Sequence, residues 1–224
     1  MNESVIKYVN FNKKVLDIGC SSGTLGQYLK QHKQAAVFGI DISSQAIKQA
    51  RKKLDQAFTL NIETDRLPFP QKSFDVIICA DILEHLFNPL AVLKKLKPFL
   101  KNNGIFILSI PNIANIKIRS NLLLGRFDYQ KDGIMDDSHL HFFTCKTSQK
   151  LVAAAGLKIL ALDYSPGFAF FFLKGRVLKI KILKNLLHRL TKLSPSLFCR
   201  QFIIIAQPWP INQKSPLLFS TGTV

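Results

Sequence analysis

Residues Val15–Gly23, VLDIGCSSG, run an apolar strand into an acid and then into a loop of small residues. Similar apolar runs recur along the chain: KVLDI, AVFGID, AFTLN, FDVIICA, GIFILSI, LKILALDY and QFIIIAQ. Several of them, such as VIICA and IFILSI, are apolar on both faces, as expected for parallel strands covered by helices on each side. Between most of them lie stretches of helical spacing, including SSQAIKQARKKLDQ, NPLAVLKKLKPFL and SQKLVAAAG, the last with Gly156 as its expected carboxyl cap. This alternation predicts a doubly wound α/β sheet. The regularity lapses from Pro111 to Thr144, and a stretch of that length inside a compact domain reads as a lid or substrate loop.

In such a sheet, ligands sit beyond the carboxyl ends of the strands, which places Val15–Gly23 at the crevice. Gly19 and Gly23 let the backbone turn tightly and approach a ligand, while Asp17 sets a negative charge beside it. A pyrophosphate would be repelled by that carboxylate, and the G-x-G-x-x-G pattern of dinucleotide loops is absent. A cationic nucleoside without phosphate is attracted instead. S-adenosylmethionine, with its ammonium and sulfonium, meets the description. Asp41 ends the second strand twenty-two residues beyond Gly19, where an acid accepts hydrogen bonds from ribose hydroxyls. Its bland alternative, a helix cap, is one that Ser43 or Ser44 supplies equally well.

With these residues in hand, the chain resembles the class I S-adenosylmethionine-dependent methyltransferases. The resemblance rests on VLDIGCSSGTLG, GIDIS, LPFPQKSFDVIICADILEHLFNP and LKPFLKNNGIFILSIPN, in family order and spacing, from Val15 to Asn112. It implies a Rossmann-like seven-stranded sheet, mostly parallel, with QFIIIAQ as an antiparallel last strand. It further implies that Asp17, Gly19, Cys20, Ser21 and Gly23 line the methionine end of the cofactor. Asp41 and Ile42 would meet the ribose, Asn61 and Ile62 the adenine, and Ala80 and Asp81 would complete the site. Two positions depart from the family pattern: Ser21 replaces a frequent glycine, and Asn61 stands where an acid is common, its amide oxygen still able to accept from an adenine amino group.

A hydroxyl acceptor benefits from a base, and histidine titrates in the useful range. His139, in the irregular DDSHLHFF segment, is the first candidate; His85, just past the fourth strand in DILEHL, is the second. His141, two residues from His139, points the opposite way if the segment is extended. The stretch from Ile110 to Thr144 resembles bacterial methyltransferases associated with polysaccharide assembly, and LEHL resembles the ubiquinone-biosynthesis O-methyltransferases. Both imply a small-molecule acceptor that is a glycan or lipid-linked.

The chain has 224 residues, 47% of them hydrophobic, enough for one buried domain over residues 1–207 followed by an irregular tail. Its net charge of +17 is uneven, since no acid follows Asp163. Residues 174–193, KGRVLKIKILKNLLHRLTKL, place leucines on one helical face and lysines on the other. Such a helix either packs on the sheet or rests on an anionic membrane surface. RNA is the less favoured partner: the basic residues accompany leucines rather than base-stacking aromatics, and ADILEH lacks the Asn/Asp-Pro-Pro-aromatic pattern of base-amino methylation. Four scattered cysteines, with no C-x-x-C pair, suggest free thiols in a reducing cytosol and no metal site. Neither a signal peptide nor an apolar run long enough to span a bilayer is apparent.

Overall fold

The computed structural model describes residues 3–166 and 193–209. Residues 174–192 of the expected basic helix, and the tail beyond Trp209, lie outside the described residues.

Seven strands form one sheet: β1 (Lys14–Ile18), β2 (Ala36–Asp41), β3 (Gln56–Thr59), β4 (Phe74–Ala80), β5 (Leu100–Pro111), β6 (Leu157–Pro166) and β7 (Cys199–Pro208). Their spatial order is β3-β2-β1-β4-β5-β7-β6. The first five pair in parallel, while β7 runs antiparallel to both β5 and β6. The doubly wound sheet expected from the alternating pattern, and the antiparallel last strand implied by the resemblance, are therefore present. Strand order reverses beside β1, so β1 and β4 flank the switch point at which ligands bind.

Side chains of successive residues leave the sheet on opposite faces. On β4, Ile77 and Cys79 join one core and Val76 and Ile78 the other; on β5, Phe106 and Leu108 oppose Ile107. Helices α1 (Glu3–Ile6), α2 (Thr24–Lys33) and α3 (Ser44–Ala50) supply Val5, Ile6, Leu29, Ile47 and Ala50 to one side. The other side receives Val92, Leu93 and Leu96 of α4 (Pro89–Leu96) and Val152 of α6 (Cys145–Ala154). Both faces are apolar because both are covered, which is why the strands read as continuous apolar runs.

The segment from Pro111 to Thr144 is not structureless throughout. It contains α5 (Ile116–Leu123), which Asn115 caps by accepting the N–H of Lys117. α5 is weakly amphipathic, with Ile118 its one buried residue, so its periodicity barely shows in the sequence. The base of the segment is pinned where β7 begins, after the short α7 (Pro195–Phe198). The fully buried Asn112 donates through Nδ2 to the carbonyls of Ser196 and Cys199, each at 3.0 Å. Asn115 donates to the Cys199 carbonyl at 2.8 Å. α6 begins earlier than its apolar spacing suggests, because Thr144 and Thr147 form a reciprocal capping box. Gly156 follows it at φ +71°, the left-handed position that ends the helix.

Candidate active site

At the carboxyl end of β1, Gly19 and Cys20 donate their N–H groups to the carbonyl of Ile40, tying the small-residue loop to the end of β2. Gly19, Ser21 and Gly23 all have positive φ, of 71°, 48° and 76°. A serine there bears the left-handed cost that glycine avoids. The conformation is held from outside: the Ser21 N–H donates to Asp41 Oδ2 at 2.8 Å, and the Ser43 N–H to Asp41 Oδ1 at the same distance. Ser43, not Asp41, caps α3, accepting from the N–H of Ala46. Asp41 is thereby free of capping duty, and each of its oxygens retains acceptor capacity toward the crevice.

Asp17 is 2% exposed, and its Oδ2 has no hydrogen-bond partner. Burial, reinforced by the charge of Asp41, pushes its carboxyl up to about 7. A buried acceptor without a donor is costly. A cationic ligand group in the crevice would answer it.

Beyond β3, the Asn61 Oδ1 accepts the N–H of Glu63 at 2.9 Å, and the Asn61 N–H donates to Asp65. The amide oxygen, expected from sequence to face adenine, thus also shapes the turn that would form the adenine wall. Lys95 of α4 clamps this turn by donating to the carbonyls of Ile62 and Asp65. Ile62 is packed into the core, whereas Ile42 stands 71% exposed next to Asp41. The half-buried Ala80 ends β4, and Asp81 follows it at φ +55°, accepting from Ser109 and from Gln201 of β7.

Asp81 also walls a second cavity of about 180 Å³, shared with Glu84, His85, Pro111, Asp136, His139, Arg200 and Gln201. Here the 3₁₀ turn after β4 (Leu83–His85) meets the loop that follows α5. The carbonyl of Glu84 accepts the N–H groups of Leu140 and His141, which locks the loop over the turn. The rings of His85 and His139 pack edge to face with centroids 4.7 Å apart. His139 Nε2 lies 3.9 Å from Oε1 of Glu84, a residue 1% exposed whose carboxylate oxygens both lack hydrogen-bond partners. Desolvation raises the Glu84 carboxyl to about 8, and desolvation together with His85 lowers His139. The pair therefore faces neutral pH as acid and free imidazole rather than as an ion pair. His141 lies outside this cavity, its Nε2 against the Phe87 carbonyl at 3.2 Å.

The structure brings His85 and His139 together at one cavity and places the Asp17, Ser21 and Asp41 cluster at the adjoining strand ends. Asp136, Arg200 and Gln201 are not among the residues singled out from sequence, and Glu84, though placed at the crevice beside His85, is given no role there. Glu84 had a signal, its position before His85 in LEHL, but Arg200 and Gln201 enter only because β7 inserts beside β5.

A family described as a methyltransferase domain matches residues 10–151. The chain belongs to the class I S-adenosylmethionine-dependent methyltransferases.

This methyltransferase is 32% identical to a ubiquinone biosynthesis O-methyltransferase of Idiomarina loihiensis, over 76% of its own length and 71% of the relative's. It is 34% identical to the Haemophilus ducreyi protein of the same description, over 46% of its length and 47% of that relative's. Among solved structures, a SAM-dependent methyltransferase from Archaeoglobus fulgidus superimposes with a TM-score of 0.65 at 18% identity, covering 91% of this chain and 89% of that one. The last similarity establishes the fold. The family's cofactor is S-adenosylmethionine, and the residues present fit it: an orphaned buried carboxylate oxygen for a cation, a second acid at the end of β2, and a loop of left-handed residues that brings the backbone close.

Proposed function

We propose that this methyltransferase methylates a hydroxyl of a sugar or of a lipid-linked small molecule. The observation that carries the reading is the cavity lined by Glu84, His85 and His139, which shares Asp81 with the end of β4. When bound, S-adenosylmethionine supplies an electrophilic methyl group on a sulfonium. Asp17 receives the ammonium, Asp41 accepts from the ribose hydroxyls, and the 61–65 turn borders the base. His139 takes the acceptor's proton: its Nδ1 faces the Ile134 carbonyl at 3.2 Å, and its lowered pKa keeps the imidazole unprotonated at neutral pH. His85 is the second candidate for that role. Orienting the hydroxyl beside the donor is worth up to about 7 to 11 kcal/mol in favourable cases, more than a base alone supplies.

An apolar acceptor is supported by what surrounds the cavity. Phe127, Tyr129 and Phe142 form a ring cluster in contact with His139, and Phe87 after the 3₁₀ turn and Leu123 and Leu124 at the end of α5 stand well exposed. Among the described residues, no helix is long and apolar enough to cross a membrane. Residues 174–193 would then hold the enzyme at an anionic membrane surface, within a catalytic domain spanning residues 1–207 and covered at 111–144. The name of the ubiquinone relatives supports an oxygen acceptor.

Incubation of the purified protein and methyl-labelled donor with fractionated cell-envelope glycolipids and with total RNA tests the reading. Label entering the glycolipid or quinone fraction is expected; label confined to RNA would overturn it.

A further inference from the structure

We infer that Glu84, His85 and His139 form a binding site for a divalent transition-metal cation. One ligating atom from each residue lies within 4.8 Å of the other two. This departs from the sequence-based expectation of no metal, which rested on the cysteines alone. The inference rests on the acceptor-cavity reading for its catalytic consequence, but not for the binding itself.

Glu84 supplies the strongest argument. Its carboxylate is buried, carries no hydrogen bond on either oxygen, and is aimed into the cavity. Burying such a group is costly unless a charge or donor answers it. His139 gives little relief: its Nε2 stays 3.9 Å away, beyond hydrogen-bond distance.

The two imidazoles are set up as ligands. His139 Nδ1 faces the Ile134 carbonyl at 3.2 Å, and His85 Nδ1 faces the Ser138 carbonyl at 3.3 Å. A carbonyl oxygen only accepts, so in its neutral form each ring carries its proton on Nδ1 and its lone pair on Nε2. A backbone acceptor behind a histidine is the usual device that fixes a metal-binding tautomer. Ser138 Oγ, also 3.1 Å from His85 Nδ1, hydrogen-bonds Asp136 and so ties that carboxylate to the cluster.

The surroundings favour a cation. Asp81 and Asp136 add negative potential at Glu84, and Arg200 is the single opposing charge among the lining residues. Two imidazoles and a carboxylate suit Zn²⁺, Mn²⁺, Fe²⁺ or Co²⁺ better than Ca²⁺ or Mg²⁺. With ligand bonds of about 2.1 Å, tetrahedral ligand atoms sit roughly 3.4 Å apart; the Glu84–His139 pair at 3.9 Å, and the whole cluster within 4.8 Å, would close to that spacing by side-chain rotation. The cavity's 180 Å³ leaves room for a water or an acceptor oxygen in an open position. A bound cation would be held by Glu84, His85 and His139 and would lower the acceptor hydroxyl's pKa so that its proton passes to solvent; His139 would then be a ligand in place of the base role given above.

The test is calorimetric titration of the chelator-treated full chain with Mn²⁺ alone and with Zn²⁺ alone, without cofactor or acceptor. One equivalent should bind. Glu84→Gln and His139→Ala should each weaken binding by at least about tenfold, while His141→Ala leaves it unchanged. His85→Ala, at a half-buried position, guards against misfolding of the two buried variants and should also lose affinity. No stoichiometric binding, or equal binding by wild type and all three cluster variants, would overturn the inference. Failure of the methyltransferase reading is separable: it would appear as no affinity for S-adenosylmethionine whatever the metal result.

Discussion

Asp41 holds Ser21 across the gap between β1 and β2: its Oδ2 accepts the Ser21 N–H at 2.8 Å while Oδ1 accepts that of Ser43. One carboxylate thus keeps the loop after β1 in its left-handed shape and, in the proposed cofactor role, would also accept from a ribose. Asp41→Ala removes both functions. Calorimetry with S-adenosylmethionine and its demethylated product should show affinity falling about 10- to 100-fold, the loss expected for charge-assisted hydrogen bonds of roughly 1.5 to 3 kcal/mol. An unchanged affinity would remove Asp41 from the cofactor site.

Asp17 predicts a pH dependence. Its pKa rises on folding from 3.8 to about 7, so the native state binds more protons than the unfolded chain between those values. Stability on this account is highest at low pH and declines as pH climbs through 7. Asp17→Asn removes the penalty and should raise Tm at pH 8 by roughly 2 to 4 °C for each kcal/mol recovered, with little gain near pH 4. Ligand binding moves the other way. The ionised carboxylate attracts the ammonium, so wild-type affinity should fall as pH drops from 7 to 5, and the Asn variant should lose that slope.

Glycine substitutions should rank by what the new Cβ meets. At Gly19 it would lie 3.1 Å from the Ile82 side chain, which can rotate; at Gly23 it would lie 3.1 Å from the Ala50 Cα, which cannot. At Gly125 nothing lies within 4 Å. All three have φ near +70°, so each alanine bears a backbone cost of about 1 to 2 kcal/mol. Thermal unfolding should therefore place Gly125→Ala as mildest, Gly19→Ala next and Gly23→Ala as most damaging.

Asn112→Ala tests how the 111–144 segment is anchored. The substitution leaves the half-buried Ser196 carbonyl short of a donor and the buried Cys199 carbonyl held by Asn115 without Asn112, at a cost of about 1 to 3 kcal/mol. Calorimetry should show the lower Tm, and limited proteolysis should show faster cleavage within 116–141.

His139→Ala should leave cofactor affinity intact and lower turnover at least tenfold, whether the imidazole takes a proton or binds a cation. Unchanged turnover would exclude both roles. The pH profile separates them: loss of the limb set by a free imidazole indicates a base.

Much of the frame is readable from local pattern. KVLDI, AVFGID and FDVIICA coincide with observed strands because two buried faces keep both sets of alternating positions mainly apolar, with the acids confined near the strand ends. Asp17 and Asp41 are legible for a related reason: an acid near the carboxyl end of an apolar strand, at the ligand crevice, has few structural explanations. The helix in 116–123 escapes notice because so little of its surface is buried, and the early start of α6 lies in a hydrogen-bonded cap that apolar spacing does not encode.

From the sequence alone came the layered fold, the cofactor loop and the two histidines, since strand periodicity and strand-end chemistry are properties of neighbouring residues. Only the tertiary structure could unite Glu84 with His139, fifty-five positions on, strip both carboxylate oxygens of donors, and set Asp136 and Gln201 on the same wall. The physical reason is that desolvation and charge proximity belong to the closed cavity. They arise when β7 inserts beside β5 and the loop after α5 folds back on the turn after β4, and no local stretch of chain carries them.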